Sequence, residues 1–258
     1  MTDLFDMKAR ALRRDRAARM GPELFLYDRA FDDCLQRLSM VQRQFGRALL
    51  IGAPDPGWRD RLHIFAGEVQ VREPGKLFAE RAASETLVED AWEPPEAAYD
   101  LIVTVGTLDT VNDLPLALRL IRLAMKRGGL LLGAMSGGDT VPLLRSAMRA
   151  ADTVAGAAAP HVHPRIEAAA LAPLLQSAGF ADPVIDVDRA SVAYPSFERL
   201  VTDLRAMGAT NLLSNRPRFM GKAALSAAVQ AFEAAGDKSR TIEKFEILHF
   251  AAWAPDKG

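Results

Sequence analysis

Apolar and polar positions along the chain follow two periods in turn. Residues 3–20 are charged throughout and read as a polar helix, which Gly21-Pro22 breaks. Over 23–45, Leu24, Leu26, Phe31, Leu35, Leu38, Val41 and Phe45 recur at mostly helical spacing and predict an amphipathic helix. Short apolar runs follow. Ala48, Leu49, Leu50 and Ile51 predict a buried strand over 47–52 that Gly52 stops, and a helix-like segment of mixed polarity comes after its turn. Weaker strands are expected at 69–72 and 87–88, and a clear buried one at 100–105. Leu116, Leu120, Ile121 and Leu123 mark the inner side of a helix over 114–126, with Gly128-Gly129 at its end. A strand at 130–135 runs into Ser136-Gly137-Gly138. Beyond Thr140 the pattern gives a helix, an Ala/Pro/His loop at 157–164, a helix at 168–178, a strand around 184–187, helices at 197–207 and 222–235, and a strong strand at 246–254.

Seven strands alternating with helices imply an α/β fold: a mostly parallel, doubly wound, Rossmann-like sheet with right-handed crossovers. No repeat, low-complexity linker or second domain interrupts 1–258. The expected organisation is a helical N-terminal extension at 1–45, a cofactor-binding half at 46–136, and a substrate-side half at 137–258. A helical insertion at about 195–240 precedes the last strand.

Composition narrows the function classes. The chain has 258 residues, a hydrophobic fraction of 49%, a charged fraction of 25% and a net charge of -1. Those are ordinary values for a globular chain, and the balance gives no reason to expect a nucleic-acid partner. Cys34 is the single cysteine, which excludes an internal disulfide and a cysteine-cluster metal site and suits a reducing compartment. No apolar run approaches the ~18 residues a membrane span needs. Lys8, Arg10, Arg13, Arg14, Arg16 and Arg19 interrupt any secretory apolar core. Asp3, Asp6 and Asp15 argue against a transit peptide, so the basic opening reads as a solvated helix face and the expected compartment is the cytoplasm.

The chemistry centres on the turn after the first strand. In a doubly wound domain that turn is glycine-rich, because the backbone approaches a ligand closely and needs φ > 0. Here Gly52 and Gly57 remain, with Pro54 and Pro56 between them. A proline has no N–H to offer. Asp55 adds a carboxylate to the same turn.

The strand–turn–strand order up to Met135 resembles a class I S-adenosylmethionine-dependent methyltransferase. The runs Val111-Asn112-Asp113-Leu114-Pro115, Gly133-Ala134-Met135 with Gly137-Gly138-Asp139-Thr140, Pro160-His161 with Pro164, Tyr194-Pro195, and Asp203-Leu204 with Met207-Gly208 and Asn211 carry a narrower resemblance. It is to the methyltransferase-fold arginine hydroxylases that assist assembly of respiratory complex I, and to their bacterial relatives. The malonyl-acyl-carrier-protein methyltransferases of biotin synthesis are a more distant look-alike. The resemblance implies a methyltransferase fold and S-adenosylmethionine as cofactor. It also implies a modifying activity on a protein side chain, or a part in complex I assembly, with a protein substrate or assembly partner. Two other readings stand beside it: a catalytically inactive binding or assembly module, which the altered glycine turn favours, and an acyl-carrier or small-molecule methyltransferase.

By the same resemblance, the turn at Gly52 and Gly57 passes the amino-acid end of the cofactor, Glu73 accepts from the ribose hydroxyls, Asp90 accepts from the adenine amino group, and Gly106 to Asp109 line the sulfonium side. Gly137, Gly138, Asp139, His161 and Asn211 are the substrate-side candidates. No general base stands out, which suits a transfer driven by alignment. Plainer readings compete. Glu73 and Asp90 can be solvated turn residues, Gly137 and Gly138 a strand-end turn, and Asp139 the N-cap of the helix after it. His161 and His163 raise a two-histidine iron site, yet no third ligand is fixed by spacing, and no metal is expected. His63 and His249 read as packing or surface residues, Cys34 as buried, and Arg216 and Arg218 as an exposed loop.

Overall fold

The computed structural model describes residues 3–217, 219–237 and 239–256; Arg218, which the polar-turn reading included, lies outside them. Its elements run α1 (Met7–Met20), α2 (Phe25–Met40), β1 (Phe45–Ile51), α3 (Gly57–Leu62), β2 (Ala66–Glu73), α4 (Lys76–Arg81), β3 (Glu85–Thr86), β4 (Tyr99–Val105), α5 (Leu114–Ala124), β5 (Met125–Ser136), α6 (Pro142–Ala155), α7 (Ala168–Ser177), β6 (Ala181–Tyr194), α8 (Phe197–Ala206), α9 (Lys222–Ala234) and β7 (Thr241–Trp253). The seven strands form one sheet in the order β3-β2-β1-β4-β5-β7-β6. β1, β2, β3, β4 and β5 are parallel, and β7 runs antiparallel between β5 and β6. This is the expected Rossmann-like methyltransferase fold.

Alternation along the central strands divides the core. Leu49 and Ile51 of β1, with Ile102 and Leu131, face α5 and α7; Ala48 and Leu50, with Val103 and Leu132, face α2 and α3. Both faces are covered, so these strands read as continuous apolar runs. On the second face Trp58 of α3 stacks on Phe31 of α2, with ring centroids 4.3 Å apart. A third apolar cluster joins α6, α8 and α9 to Tyr194 and Phe245 of the β6–β7 ribbon. The helices of the expected insertion therefore pack beside the sheet's carboxyl edge.

Several elements differ in extent from the sequence reading. The α2 helix stops at Met40, because Val41 turns extended and its N–H bonds back to Leu38. The third strand is Glu85–Thr86 rather than 87–88, set by the pairs Arg72 with Glu85 and Glu73 with Thr86. The sixth strand is far longer than 184–187, since β6 pairs with β7 from Ala181 to Tyr194. The six-residue α4 was not expected; only Phe78 and Ala79 on it are buried.

The largest correction concerns α1. Its basic face is not solvated: Arg10 is 3% and Arg14 5% exposed. Asp6 caps the helix by accepting from the Ala9 N–H at 2.9 Å. Asp15 accepts from Leu77 N of α4 at 2.9 Å, and Ala17 and Ala18 pack on Phe78. Ahead of the helix, Phe5 bridges to Leu213, while Asn112 donates to its carbonyl at 3.1 Å and accepts from its N–H at 2.7 Å. These contacts lay α1 across the carboxyl ends of β2 and β4.

Candidate cofactor crevice and adjoining cavity

β1 and β4 are neighbours whose connections leave in opposite directions, so their carboxyl ends flank the switch point at which doubly wound sheets bind ligands. Gly52 ends β1 with φ +82; a Cβ there would lie 2.4 Å from the Val105 carbonyl oxygen and 2.5 Å from Thr107 Cγ2, so the turn packs against β4 and admits only glycine. Asp55 accepts from Gly57 N at 2.8 Å, which keeps its carboxylate engaged within the turn that starts α3.

Glu73, at the end of β2, is fully buried. It accepts from Ala53 N at 2.9 Å, from Gly75 N at 3.2 Å, and from Arg14 through Nε and through Nη2, the latter at 2.8 Å. Burial works against the Arg14 charge, but the Glu73 carboxylate outweighs it and holds the guanidinium above the usual arginine range. Glu89 is equally buried; Arg10 clasps it through Nη1 at 2.6 Å and Nη2 at 2.8 Å, and Nη2 also donates to the Thr107 carbonyl at 2.8 Å. Arg10 and Arg14 stand four residues apart on one face of α1, a spacing that carries both guanidiniums to the same side. Tyr27 of α2 fills the third place. Gly106, with φ +61, lies so close that an added Cβ would be 2.3 Å from Tyr27 Cε1, and the phenol donates to the Met207 carbonyl at 3.0 Å. Burial raises the Tyr27 pKa.

The sequence-derived residues thus fall into groups. Gly52, Glu73 and Gly106 meet at the crevice, and Gly57 stands at its outer turn. Asp90 accepts from Asn112 N and Asp113 N at 2.9 Å each, fixing the entry to α5; the carboxylate paired into the crevice is its neighbour Glu89. Asp109 is buried in an ion pair with Arg165 at 2.6 Å. Gly137 donates to the Glu246 carbonyl at 2.9 Å, and a Cβ on Gly138 would meet Glu167 Oε1 at 2.1 Å, so both glycines serve close packing at the end of β5. Asp139 does not cap α6. Glu243 of β7 does, accepting from Leu143 N at 3.2 Å and Leu144 N at 2.8 Å. His161 pairs with Asp152 at 2.8 Å, and Asn211 donates to the Pro160 carbonyl at 2.7 Å while accepting from Leu213 N at 3.0 Å. His163 accepts from Leu212 N at 2.7 Å through Nε2; burial, helped by the positive Arg165 and Arg145, pushes its pKa down to about 3. His249 is buried on β7, His63 is exposed, and Arg216 pairs with Asp6 at 2.9 Å.

Beside the crevice a cavity of about 340 Å³ opens between the ends of β4, β5 and β7 and the helices α2, α6 and α8. Gly106, Asp109, His161, His163, Arg165 and Asn211 reach its wall, so the substrate-side candidates His161 and Asn211 share one space with the sulfonium-side pair. Gly137, Gly138 and Asp139 are not on that wall.

Sequence reasoning missed Arg10, Arg14, Glu89, Tyr27 and Arg165. The only signal for the first two was their spacing: Arg10, Arg14, Ala17 and Ala18 share a face that a solvated helix has no need to keep consistent.

Residues 26–183 match the family model described as a methyltransferase domain. The chain belongs to the methyltransferase domain family. Over 97% of its length it is 30% identical to arginine-hydroxylase NDUFAF5, mitochondrial, from Rattus norvegicus, covering 77% of that protein. It is 33% identical to a malonyl-[acyl-carrier protein] O-methyltransferase of Xylella fastidiosa over 62% of its length and 53% of that protein. Among solved structures, the YcgJ protein of Bacillus subtilis superposes with a TM-score of 0.58 at 10% identity, over 85% of this chain and 97% of that one. A Haemonchus contortus phosphoethanolamine N-methyltransferase complexed with S-adenosylhomocysteine gives 0.53 at 16% identity, over 87% of this chain and 52% of that one. These two likenesses concern the fold. S-adenosylmethionine is the cofactor of this methyltransferase family, and a buried acid after β2 opposite a glycine-only turn is the donor–acceptor set its ribose needs. In the present arrangement the acid's outward oxygens are taken by Arg14. Among the described residues, no helix is long and apolar enough to cross a membrane.

Proposed function

We propose that this chain is an S-adenosylmethionine-dependent protein of the arginine-hydroxylase NDUFAF5 kind, acting on a side chain of a partner protein during assembly of respiratory complex I. It is one methyltransferase-like unit working in the cytoplasm, and α1 latches its cofactor crevice. The observation that carries the reading is Glu73: a fully buried acid at the switch point, facing a turn that only glycine can make. Glu73 would hold the ribose hydroxyls, Glu89 or Asp90 the adenine amino group, and Gly106 with Asp109 the sulfonium side. When bound, the cofactor would supply an electrophilic methyl group. This chain's part is to exclude water and align the reacting groups, which needs no strong general base. Arg10 and Arg14 would first have to leave Glu89 and Glu73.

A second reading follows from the same arginines. Pro54 and Pro56 withhold two N–H groups and Arg14 completes the Glu73 shell, which suits a binding module that keeps the fold without the chemistry. Deleting the gene and restoring it with wild type or Glu73→Gln separates the two. The enzyme reading expects complex I assembly, followed on native gels, to return with wild type and not with Glu73→Gln. Full rescue by a folded Glu73→Gln chain favours the module, and undisturbed assembly in the deletion strain overturns both.

A further inference from the structure

We propose that the 340 Å³ cavity between the strand ends and α2, α6 and α8 is a binding site for a small, neutral, largely apolar molecule carrying one hydrogen-bond acceptor, held through Arg165 Nε. Occupation of this site does not depend on the cofactor reading.

The lining sets the chemistry. Met148, Phe197, Leu204, Met207, Phe245 and Ile247 give apolar walls from four separate elements and the loop after α8. A volume of this size falls in the range of small-molecule sites, roughly 300–1,000 Å³. Water filling so apolar a space finds few partners, whereas each ordered water needs about two to four. Methionines on several sides let the wall adjust to an irregular guest.

Charge selects against ions. Asp109 and Arg165 neutralise each other at 2.6 Å, and Glu246 pairs with Arg189 at 3.0 Å. His163 stays neutral because its ring is buried and its Nε2 accepts from Leu212 N. His161 is engaged by Asp152. No uncompensated charge among the described residues faces the cavity to attract an ionic guest.

One donor is left over. The Arg165 side chain is 8% exposed, its Nη1 serves Asp109, and its Nε is buried with no partner. A buried N–H of a charged group without an acceptor is costly, so an acceptor on the guest completes the shell. The other polar groups on the wall with assigned partners, Asn211 and His163, are spent on backbone groups.

The test uses the full-length protein without cofactor and three probes of one shape: 2-acetylnaphthalene (neutral, one acceptor), naphthalene (neutral, none) and 2-naphthoate (anionic). Titration by heteronuclear NMR or calorimetry should rank 2-acetylnaphthalene first, about tenfold tighter than naphthalene, as one hydrogen bond to a charged donor gives. The anion should bind weakest. Leu204→Trp, which puts an indole into the cavity from half-exposed α8, should abolish binding while the melting temperature stays within a few degrees; Met220→Trp, at the rim, serves if that variant does not fold. Binding of none of the probes, tightest binding of 2-naphthoate, or binding unchanged in a folded filling variant overturns the proposal. A failed S-adenosylmethionine titration leaves it untouched.

Discussion

Replacing Arg14 by methionine, and Glu73 by glutamine, isolates the pair that closes the crevice. Both changes keep most of the side-chain volume, so they test charge and hydrogen bonding rather than a cavity. With Arg14→Met, Glu73 stays fully buried with only the Ala53 and Gly75 N–H groups for its charge. Removing one partner of a buried ion pair costs about 3–5 kcal/mol. The two surviving amides place this site at the lower end, near 3 kcal/mol, and loss of the Arg14 stacking on Phe78, 5.6 Å from the ring centroid, adds about 0.5 kcal/mol. Glu73→Gln strands a buried guanidinium and should cost a similar amount. The double variant buries neither charge, so it should lose about 3 kcal/mol rather than the summed 6 or so, a coupling of about 3 kcal/mol. Urea unfolding at pH 7, with unchanged slopes confirming comparable two-state transitions, reads all four corners of the cycle. Single losses under about 1 kcal/mol, or additivity within about 0.5 kcal/mol, would refute the claim that α1 is locked to Glu73.

Other consequences follow from particular contacts. Gly52→Ala forces φ +82 on a residue whose Cβ would press on Val105 O, and should cost about 3 kcal/mol or prevent folding, measured by the same unfolding curves. His163 is neutral when folded, with a pKa near 3, so the unfolded chain takes up its proton first as pH falls; stability present above pH ~6.5 declines below it, by about 2 kcal/mol at pH 5. His249, depressed mainly by its burial, adds in the same direction, and His163→Gln should flatten the slope of stability between pH 7 and 5. Glu243→Ala removes the acceptor for Leu143 N and Leu144 N and should cost about 1–2 kcal/mol, with faster amide exchange in the first turn of α6. Cys34 is buried and its thiol is pushed up to about 12, so a disulfide reagent should label it only as fast as the native chain opens; immediate labelling would contradict its packing between α2 and the sheet.

The doubly wound sheet was legible because buried parallel strands write themselves as apolar runs. Ala48 to Ile51 and Leu101 to Val105 need no partner to be recognised, and Gly52 stops the first of them for a reason that its φ makes plain. The short and edge elements were less legible. Glu85–Thr86 carries no apolar residue, and only pairing with β2 makes it a strand. Along β6, exposed and half-buried positions alternate through most of its length, so its extent is set by β7 rather than by its own pattern. Glu73 could be placed from the strand it ends, yet its partner could not. A basic run on a polar helix has the same local pattern whether it meets water or a pair of buried carboxylates, and only long-range docking by Phe5, Asp15 and Gly208 turns Arg10 and Arg14 inward. The cap of α6 escaped for the same reason: Asp139 stands next to the helix in sequence, whereas Glu243 reaches it from β7.

The most direct measurement is calorimetric titration of S-adenosylmethionine into the wild-type chain and into Arg10→Met/Arg14→Met, both first shown to be folded by circular dichroism. If the arginines must leave the carboxylates before the ribose and adenine can enter, an opening cost of about 3 kcal/mol raises the apparent Kd roughly a hundredfold. The account therefore predicts that the double variant binds at least tenfold more tightly than wild type. Micromolar binding to wild type that is equal to or tighter than binding to the variant would contradict the latch.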